Sequence, residues 1–390
     1  YNDLIQNFPN SSLKMKSELH VSEKSLIQAM GNVFQKLDIK LNKELSKIQF
    51  GTVLDLNDSK TKLAIGTDRS DVFEMNLPSE NIFYETDFEV SNRYTKLREI
   101  TSGIRSMKYV SKGDDLFYGT VDGQVFQNTE RKFTSENNAE GSINGMFELV
   151  DGNVLISNSL GRLTYGQKNL SSGGYAELTP VDVKQGINVI DFSQKSNLIA
   201  INGRLSELEL WSLSSDGDID FKEKIRIEGL NSKISSLRFI DNNNWILIGT
   251  QLGTFLIYSF EEDKVIFQNK SAHLSAITAL ALDPLSRFIV SGGRDNKINV
   301  WDIDALSVTY APVVHQMKQV IQDIEFIGND WFISLSRGQN NVGTDRYSVG
   351  RMSLWSVDLD LFAKKLAHSE DLWLIEDFEN NGDYQKYIPN

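Results

Sequence analysis

"SGGRDNKINVWDI", residues 291–303, reads as a strand, a tight polar turn and a second strand. Ser291, Gly292 and Gly293 are small, Arg294-Asp295-Asn296 has turn chemistry, and the following alternating run ends on Trp301-Asp302. Two alternating runs around a short turn of this kind predict a hairpin. One hairpin decides little about a chain of 390 residues. The decisive question is whether it recurs.

With Gly292 as the reference pivot, it does. "ILIGTQLGTFLIYSF" (246–260) places Gly249 on Gly292 and Tyr258 on Trp301 without a gap. "LIAINGRLSELELWSL" (198–213) puts Asn202 at the pivot and Trp211 nine residues later. "LISNSLGRLTYG" (155–166), "LFYGTVDGQVF" (116–126) and "LAIGTDRSDVFEMNL" (63–77) supply pivots at Ser157, Gly119 and Gly66. A seventh unit begins with "WFISLS" (331–336) and ends with "GRMSLWSVD" (350–358), with a loop inserted between them. A second alternating run precedes each pivot, for example GTVLDLN (51–57), GIRSMKYV (103–110), KISSLRFI (233–240) and VIQDIEFI (320–327). A weaker run follows, as in KEKIRIEG (222–229).

Repeats at roughly 40–45 residues, each of three to four strands, are expected to stack because a single sheet cannot bury both faces alone. The predicted fold is therefore all-β: a seven-bladed β-propeller of four-stranded antiparallel blades over residues 44–362. Small residues at the pivot are expected to allow close backbone approach and the positive φ of a tight turn.

The units resemble the WD-repeat β-propeller family, and the sixth carries the most specific match. It has His273 where the family's Gly-His pair sits, Ser291 and Asp295 in strand and turn, and Trp301-Asp302 at the close. The resemblance implies a buried hydrogen-bond network of His273, Ser291, Asp295 and Trp301 that braces the blade. Ala272 replaces the family's glycine, and Trp211 and Trp355 are followed by serine in place of aspartate, so the member is a divergent one. What the family implies about function is a non-catalytic scaffold, a subunit of a larger nuclear or cytosolic complex. A membrane-traffic coat or adaptor is the alternative; the Phe-Arg-Arg-Gly signature of lipid-binding propellers is absent.

Outside the repeats, "SEKSLIQAMGNVFQKLD" (22–38) spaces Leu26, Ile27, Met30, Val33, Phe34 and Leu37 for one face of an amphipathic helix, with Ser22 as cap. It belongs to an N-terminal extension, 1–43. "ELSKIQF" (44–50) alternates and can supply the outer strand of the last blade, closing the ring from the opposite terminus. Residues 363–390 form an acidic-aromatic tail containing Trp373, Phe378, Tyr384 and Tyr387, suited either to docking or to packing on the chain's own blades. The sequence opens on Tyr1, not Met, so a longer parent chain is expected.

Composition narrows the chemistry. There is no cysteine, which removes disulfides, thiolate metal sites and cysteine nucleophiles together. Four histidines, His20, His273, His315 and His368, have no metal-ligand spacing, and no nucleophile elbow, phosphate loop or zinc-protease helix occurs. No catalytic residue, metal or cofactor is expected. Cysteine usage and the absence of a signal-like start point to nucleus or cytoplasm. A net charge of −13 disfavours direct binding to nucleic acid or an anionic membrane. Against that charge, the turns after the pivots carry Arg69, Arg204, Arg294 and Arg337, and the seventh unit adds Arg346 and Arg351. Arginine is suited to bidentate capture of carboxylate or phosphate. These six are the expected partner-binding residues, for an acidic or phosphorylated peptide in place of a small-molecule substrate; pairing with Asp68, Asp71 or Asp295 is the bland alternative.

Overall fold

A computed structural model of the chain describes residues 42–47, 51–77, 94–99, 102–110, 115–128, 130–132, 141–168, 175–177, 180–202, 206–228, 230–303, 307–310, 319–338 and 350–357. The expected helix at 22–38 and the tail at 363–390 lie outside these residues. What is described is β-structure throughout, save one 3-10 turn at Val150–Gly152. Seven antiparallel sheets follow in chain order: sheet 1 over 51–99, sheet 2 over 104–132, sheet 3 over 143–182, sheet 4 over 189–226, sheet 5 over 234–269, sheet 6 over 277–310, and sheet 7 over 319–356. Six are four-stranded; in sheet 3 the pair Val181–Asp182 adds a fifth strand beside Arg162–Lys168. The outer strand of sheet 7 comes from the other end of the chain. Asn42–Lys47 pairs antiparallel with Arg351–Ser356, from Asn42 opposite Trp355 to Lys47 opposite Arg351.

The first strand of each sheet meets the first strand of the next. Most of these strands contain a one-residue bulge near their start, as between Gly51 and Val53 or Ile277 and Ala279. The side chain freed by that bulge turns to the neighbouring sheet. Thr52 Oγ1 donates to the Ile104 carbonyl at 2.8 Å, Asn144 Nδ2 to Ile187 at 2.5 Å, Ser235 Oγ to Ile277 at 2.6 Å, and Thr278 Oγ1 to Ile321 at 2.6 Å. Ser106 Oγ bonds the Ile143 carbonyl at 3.0 Å, and Asn188 Nδ2 bonds that of Ile234 at 3.2 Å. These six links run from sheet 1 to sheet 7. The seventh returns to the start: the Leu54 N–H donates to Asp323 Oδ2 at 3.0 Å.

The pivots are small for a packing reason. A Cβ on Gly66 would stand 2.5 Å from Ile104, on Gly119 2.3 Å from Ile143, on Gly249 2.7 Å from Ile277, and on Gly292 2.4 Å from Ile321. In each case the isoleucine is that of the next sheet's first strand. Positive φ, expected at the same place, falls four residues later: Ser70, Gly123, Gly161, Gly253 and Asn296 have φ of 73°, 84°, 100°, 82° and 65°. Close approach and turn closure are thus divided between two positions.

The core is distributed between sheets. Leu54, Ile65 and Met75 of sheet 1 pack with Ile333, Leu335 and Met352 of sheet 7. Trp301 of sheet 6 lies against Phe255 of sheet 5, ring centroids 4.8 Å apart. Each sheet buries its apolar side chains against its neighbours.

Candidate partner-binding face

In sheets 2, 3, 5 and 6 the turn after the second strand is tied to the residues that lead into that sheet's first strand. Val121 N–H donates to the Gly103 carbonyl, Ser159 to Ser142, Gln251 to Lys233 and Arg294 to Ala276, at 2.8–2.9 Å. These turns therefore share one end of the assembly. Arg69 and Arg294 are exposed at their tips. Arg337, at the end of sheet 7's second strand, reaches back to sheet 1, where its Nη2 pairs with Asp68 Oδ2 at 2.5 Å. Arg351 begins the third strand of sheet 7, its N–H on Ser336 Oγ at 3.2 Å. Arg204 and Arg346 lie outside the described residues. Asp295 is not the counter-ion of Arg294. Its carboxylate is spent on His273 and on the Leu274 and Lys297 N–H groups, at 2.9, 2.9 and 3.2 Å.

His273, Ser291, Asp295 and Trp301 form a continuous chain of hydrogen bonds. Trp301 Nε1–H donates to Ser291 Oγ at 2.9 Å, Ser291 Oγ meets His273 Nε2 at 2.8 Å, and His273 Nδ1 meets Asp295 Oδ1 at 2.9 Å. Burial alone would raise the Asp295 carboxyl; the bonds from His273 and the two backbone N–H groups outweigh it and hold it below the usual value. Though Ser, His and Asp are the residue types of a nucleophilic triad, Ser291 is fully buried and its oxygen already accepts from Trp301. No substrate carbonyl can reach it, so the array braces and does not attack. Sheet 7 keeps half the arrangement, Trp355 Nε1 donating to Ser334 Oγ at 2.8 Å. In sheet 4 the Trp211 Nε1 is buried without a partner, because Ile201 occupies the serine's place.

A second constellation escaped sequence reading. One position in the first strands is charged in five of seven sheets: Asp55, Lys108, Asp191, Arg238 and Glu325, with Phe147 and Ala281 in the other two. Lys108 Nζ lies 2.8 Å from Asp55 Oδ1, and the Tyr109 N–H donates to Asp55 Oδ2 at 2.6 Å, joining sheets 1 and 2. The Phe239 N–H donates to Asp191 Oδ2 at 2.6 Å, joining sheets 4 and 5. Burial disfavours the charge of Arg238, but Glu325, Asp191, Asp323 and Asp55 together hold its pKa above the ordinary value. One guanidinium thus interacts with carboxylates of sheets 1, 4 and 7. The signal was available: the strand centres read LDL, MKY, IDF, LRF and IEF, each a charge between apolar residues. Among the described residues no group of three or more His, Asp or Glu is placed to hold a metal, and no helix is long and apolar enough to cross a membrane.

Comparison with known proteins bears on this architecture directly. The family model described as WD domain, G-beta repeat matches residues 265–302, which contain Ser291, Asp295 and Trp301 as well as His273. Residues 265–302 carry a WD repeat, and the chain resembles divergent WD-repeat proteins. Its similarity to curated relatives is partial. It is 25% identical over 177 residues, 45% of this chain and 38% of the relative, to "Cell division cycle 20.5, cofactor of APC complex" of Arabidopsis thaliana. It is 25% identical over 137 residues, 34% of this chain and 17% of the relative, to "Anaphase-promoting complex subunit cdh1" of Dictyostelium discoideum. A third, "Periodic tryptophan protein 2" of Saccharomyces cerevisiae, is 23% identical over 118 residues, 30% of this chain and 12% of that one. The matched part of the chain spans at most 38% of these relatives' lengths.

The charged positions of the first strands give the protein a pH dependence of definite sign. Burial pushes Asp191 up to about 6 against the pull of Arg238, and burial with the neighbouring Glu325 pushes Asp323 up to about 8. Between the unfolded carboxylate value, about 3.9, and these values the folded state holds protons that the unfolded chain has released. Their contribution to stability is complete below about pH 4. It falls as pH rises, to about 6 for Asp191 and about 8 for Asp323, with a slope of up to about 1.4 kcal/mol per pH unit for each group. Urea unfolding between pH 5 and 9 is expected to show this decline, and Asp323→Asn to flatten it above pH 6. Parallel profiles for the two proteins would remove Asp323 as its source.

Proposed function

We propose that the seven sheets are the blades of a closed β-propeller over residues 44–362, and that the propeller is a non-catalytic interaction scaffold. It serves as a subunit of a larger nuclear or cytosolic complex and binds an acidic or phosphorylated segment of a protein partner on the end that carries the arginine turns. The observation behind this is the exposure of Arg69 and Arg294 on turns after second strands, that of Arg294 fastened by its N–H to Ala276, in a chain of net charge −13. A cation held on such a frame offers bidentate bonds at little entropic cost on binding. Relatives whose names make them a cofactor or a subunit of the anaphase-promoting complex support the scaffold role in general terms. The bracing network of His273, Ser291, Asp295 and Trp301 keeps the turn that carries Arg294 in one conformation.

The test is a quantitative pull-down with the wild-type chain and with Arg69→Glu, Arg204→Glu, Arg294→Glu and Arg337→Glu combined. An unchanged circular dichroism melt must first establish that the variant folds, since Arg337→Glu faces Asp68. A protein partner held by the wild type is expected to fall at least tenfold with the variant, and to be competed by an acidic or phosphorylated peptide. A partner retained in full places the working surface elsewhere.

A further inference from the structure

Seven large apolar side chains are conspicuously exposed among the described residues, and the two most exposed, Leu274 at 81% and Leu252 at 68%, each adjoin one end of a backbone bond between sheets 5 and 6. Hydrogen bonds fix the backbone on which both stand. Leu252 N–H donates to Ser232 Oγ at 3.2 Å; His273 N–H donates to the Gly253 carbonyl at 3.0 Å; Leu274 N–H donates to Asp295 Oδ2 at 2.9 Å. The turn of sheet 5 is thereby fastened to the entry of sheet 6, and that entry to the turn bearing Arg294. Gly253, at φ +82°, admits no side chain there, since a Cβ would stand 2.0 Å from the His273 carbonyl oxygen. Two leucines are therefore presented to water on backbone that cannot retract to cover them.

The surrounding charge has one sign. Lys233, Lys270 and Arg294 are exposed and Lys297 is half-buried; among the described residues none of these four side chains has an ion-pair partner. Of the two acids on the loops of this sector, Asp295 has a side chain only 4% exposed and already bonded to His273, which leaves Glu228. A cationic sector has thus formed around an apolar pair on a strongly acidic protein. Fixed apolar anchors ringed by unspent charge are the composition of a binding hot spot, where most of the affinity resides in a few preorganised side chains.

We propose that the Leu252–Leu274 pair, with Arg294 and the three lysines, is the docking site for a short acidic segment of a protein partner that inserts one large apolar side chain between the leucines. This rests on the scaffold reading above and narrows it to sheets 5 and 6. The apolar side chain supplies burial, and carboxylates flanking it meet Arg294, Lys233, Lys270 and Lys297. Charge complementarity selects the occupant: a basic or neutral segment gains nothing from four unpaired cations, while an acidic one neutralises them.

Panning the full chain against a displayed library of random 12-residue peptides tests the assignment. Enriched peptides are expected to carry Leu, Phe or Trp within two residues of Asp or Glu. Their synthetic versions should lose at least tenfold in affinity with Leu274→Asp, Leu252→Asp and Arg294→Glu taken singly. Leu285→Asp, at an exposed turn of sheet 6 between its first two strands, should leave binding unchanged and controls for general surface effects. Enriched peptides without acidic residues, or peptides indifferent to the leucine changes, overturn the proposal. Peptides lost with Arg69→Glu and Arg337→Glu but retained with Leu274→Asp overturn it while leaving the arginine-face reading intact. A library yielding no binder overturns the proposal, while the arginine-face reading still stands or falls by the pull-down with phosphorylated competitor. The peptide of residues 369–379, SEDLWLIEDFE, has the required chemistry. If it binds at the pair more tightly than any library member, the site's occupant is the chain itself and the partner assignment fails.

Discussion

Replacing Arg238 by leucine is expected to cost about 1–3 kcal/mol of unfolding free energy at pH 7, between the values for an exposed ion pair and for a fully buried charge group, because Arg238 is half-buried while Asp55 and Asp191 are buried. The side chain belongs to sheet 5, yet Glu325, Asp191, Asp323 and Asp55 all act on it. Without it, carboxylates from three sheets repel one another around a half-buried position, where solvent screens part of the repulsion. Lowering the pH should shrink the penalty, because Asp191 and Asp323 already hold protons readily and would take them up further once the cation is gone. Urea denaturation of Arg238→Leu and wild type at pH 7 and pH 5 measures both effects. A deficit at pH 7 below about 1 kcal/mol would show that solvent screens the group as it does a surface ion pair. Arg238→Lys separates charge from geometry: it keeps one cation but cannot span several carboxylates with a planar fork.

The repeat was legible because its determinants are local. A small pivot, alternating strands and a turn residue four places on are each fixed by neighbours in sequence, and together they predict sheets of the observed kind. The turn chemistry at Asn296 and Gly253, and the Trp301 position nine residues past Gly292, could be aligned by counting. Division of labour between pivot and turn was not legible. Whether Gly249 is small for its φ or for Ile277 depends on a residue in another sheet. The same holds for the charged centre. LDL and LRF look like ordinary half-exposed strands until Asp55 and Arg238 are seen to face one group across the sheets. The arginines were legible as residues but not as a set: Arg337 is engaged by Asp68, whereas Arg294 is spared by a carboxylate that His273 has taken. Exposed Leu252 and Leu274 gave no signal, since a leucine in a turn reads the same whether its backbone can fold it inward or not.

Removing the outer strand of sheet 7 is expected to cost on the order of 5 kcal/mol, because a run of ladder bonds disappears at about 1 kcal/mol each and an apolar strand becomes an edge. Arg351–Ser356 contains Met352, Leu354 and Trp355, all at most 3% exposed, and pairs on one side with Trp331–Gly338 and on the other with Asn42–Lys47. Chains beginning at residue 41 and at residue 48 differ essentially by that strand. The longer is expected to unfold cooperatively and remain monomeric, the shorter to unfold at much lower urea and to associate through its new edge, as light scattering would reveal. Adding a synthetic peptide of residues 41–50 should restore part of the loss in a concentration-dependent way, since it binds only the folded state. Equal stability of the two chains would mean that the seventh-to-first contacts, led by the Asp323 bond to Leu54, hold sheet 7 to sheet 1 without help from the N-terminal strand. In that case the first strands of the two sheets, not the outer strand, would join the two ends of the chain.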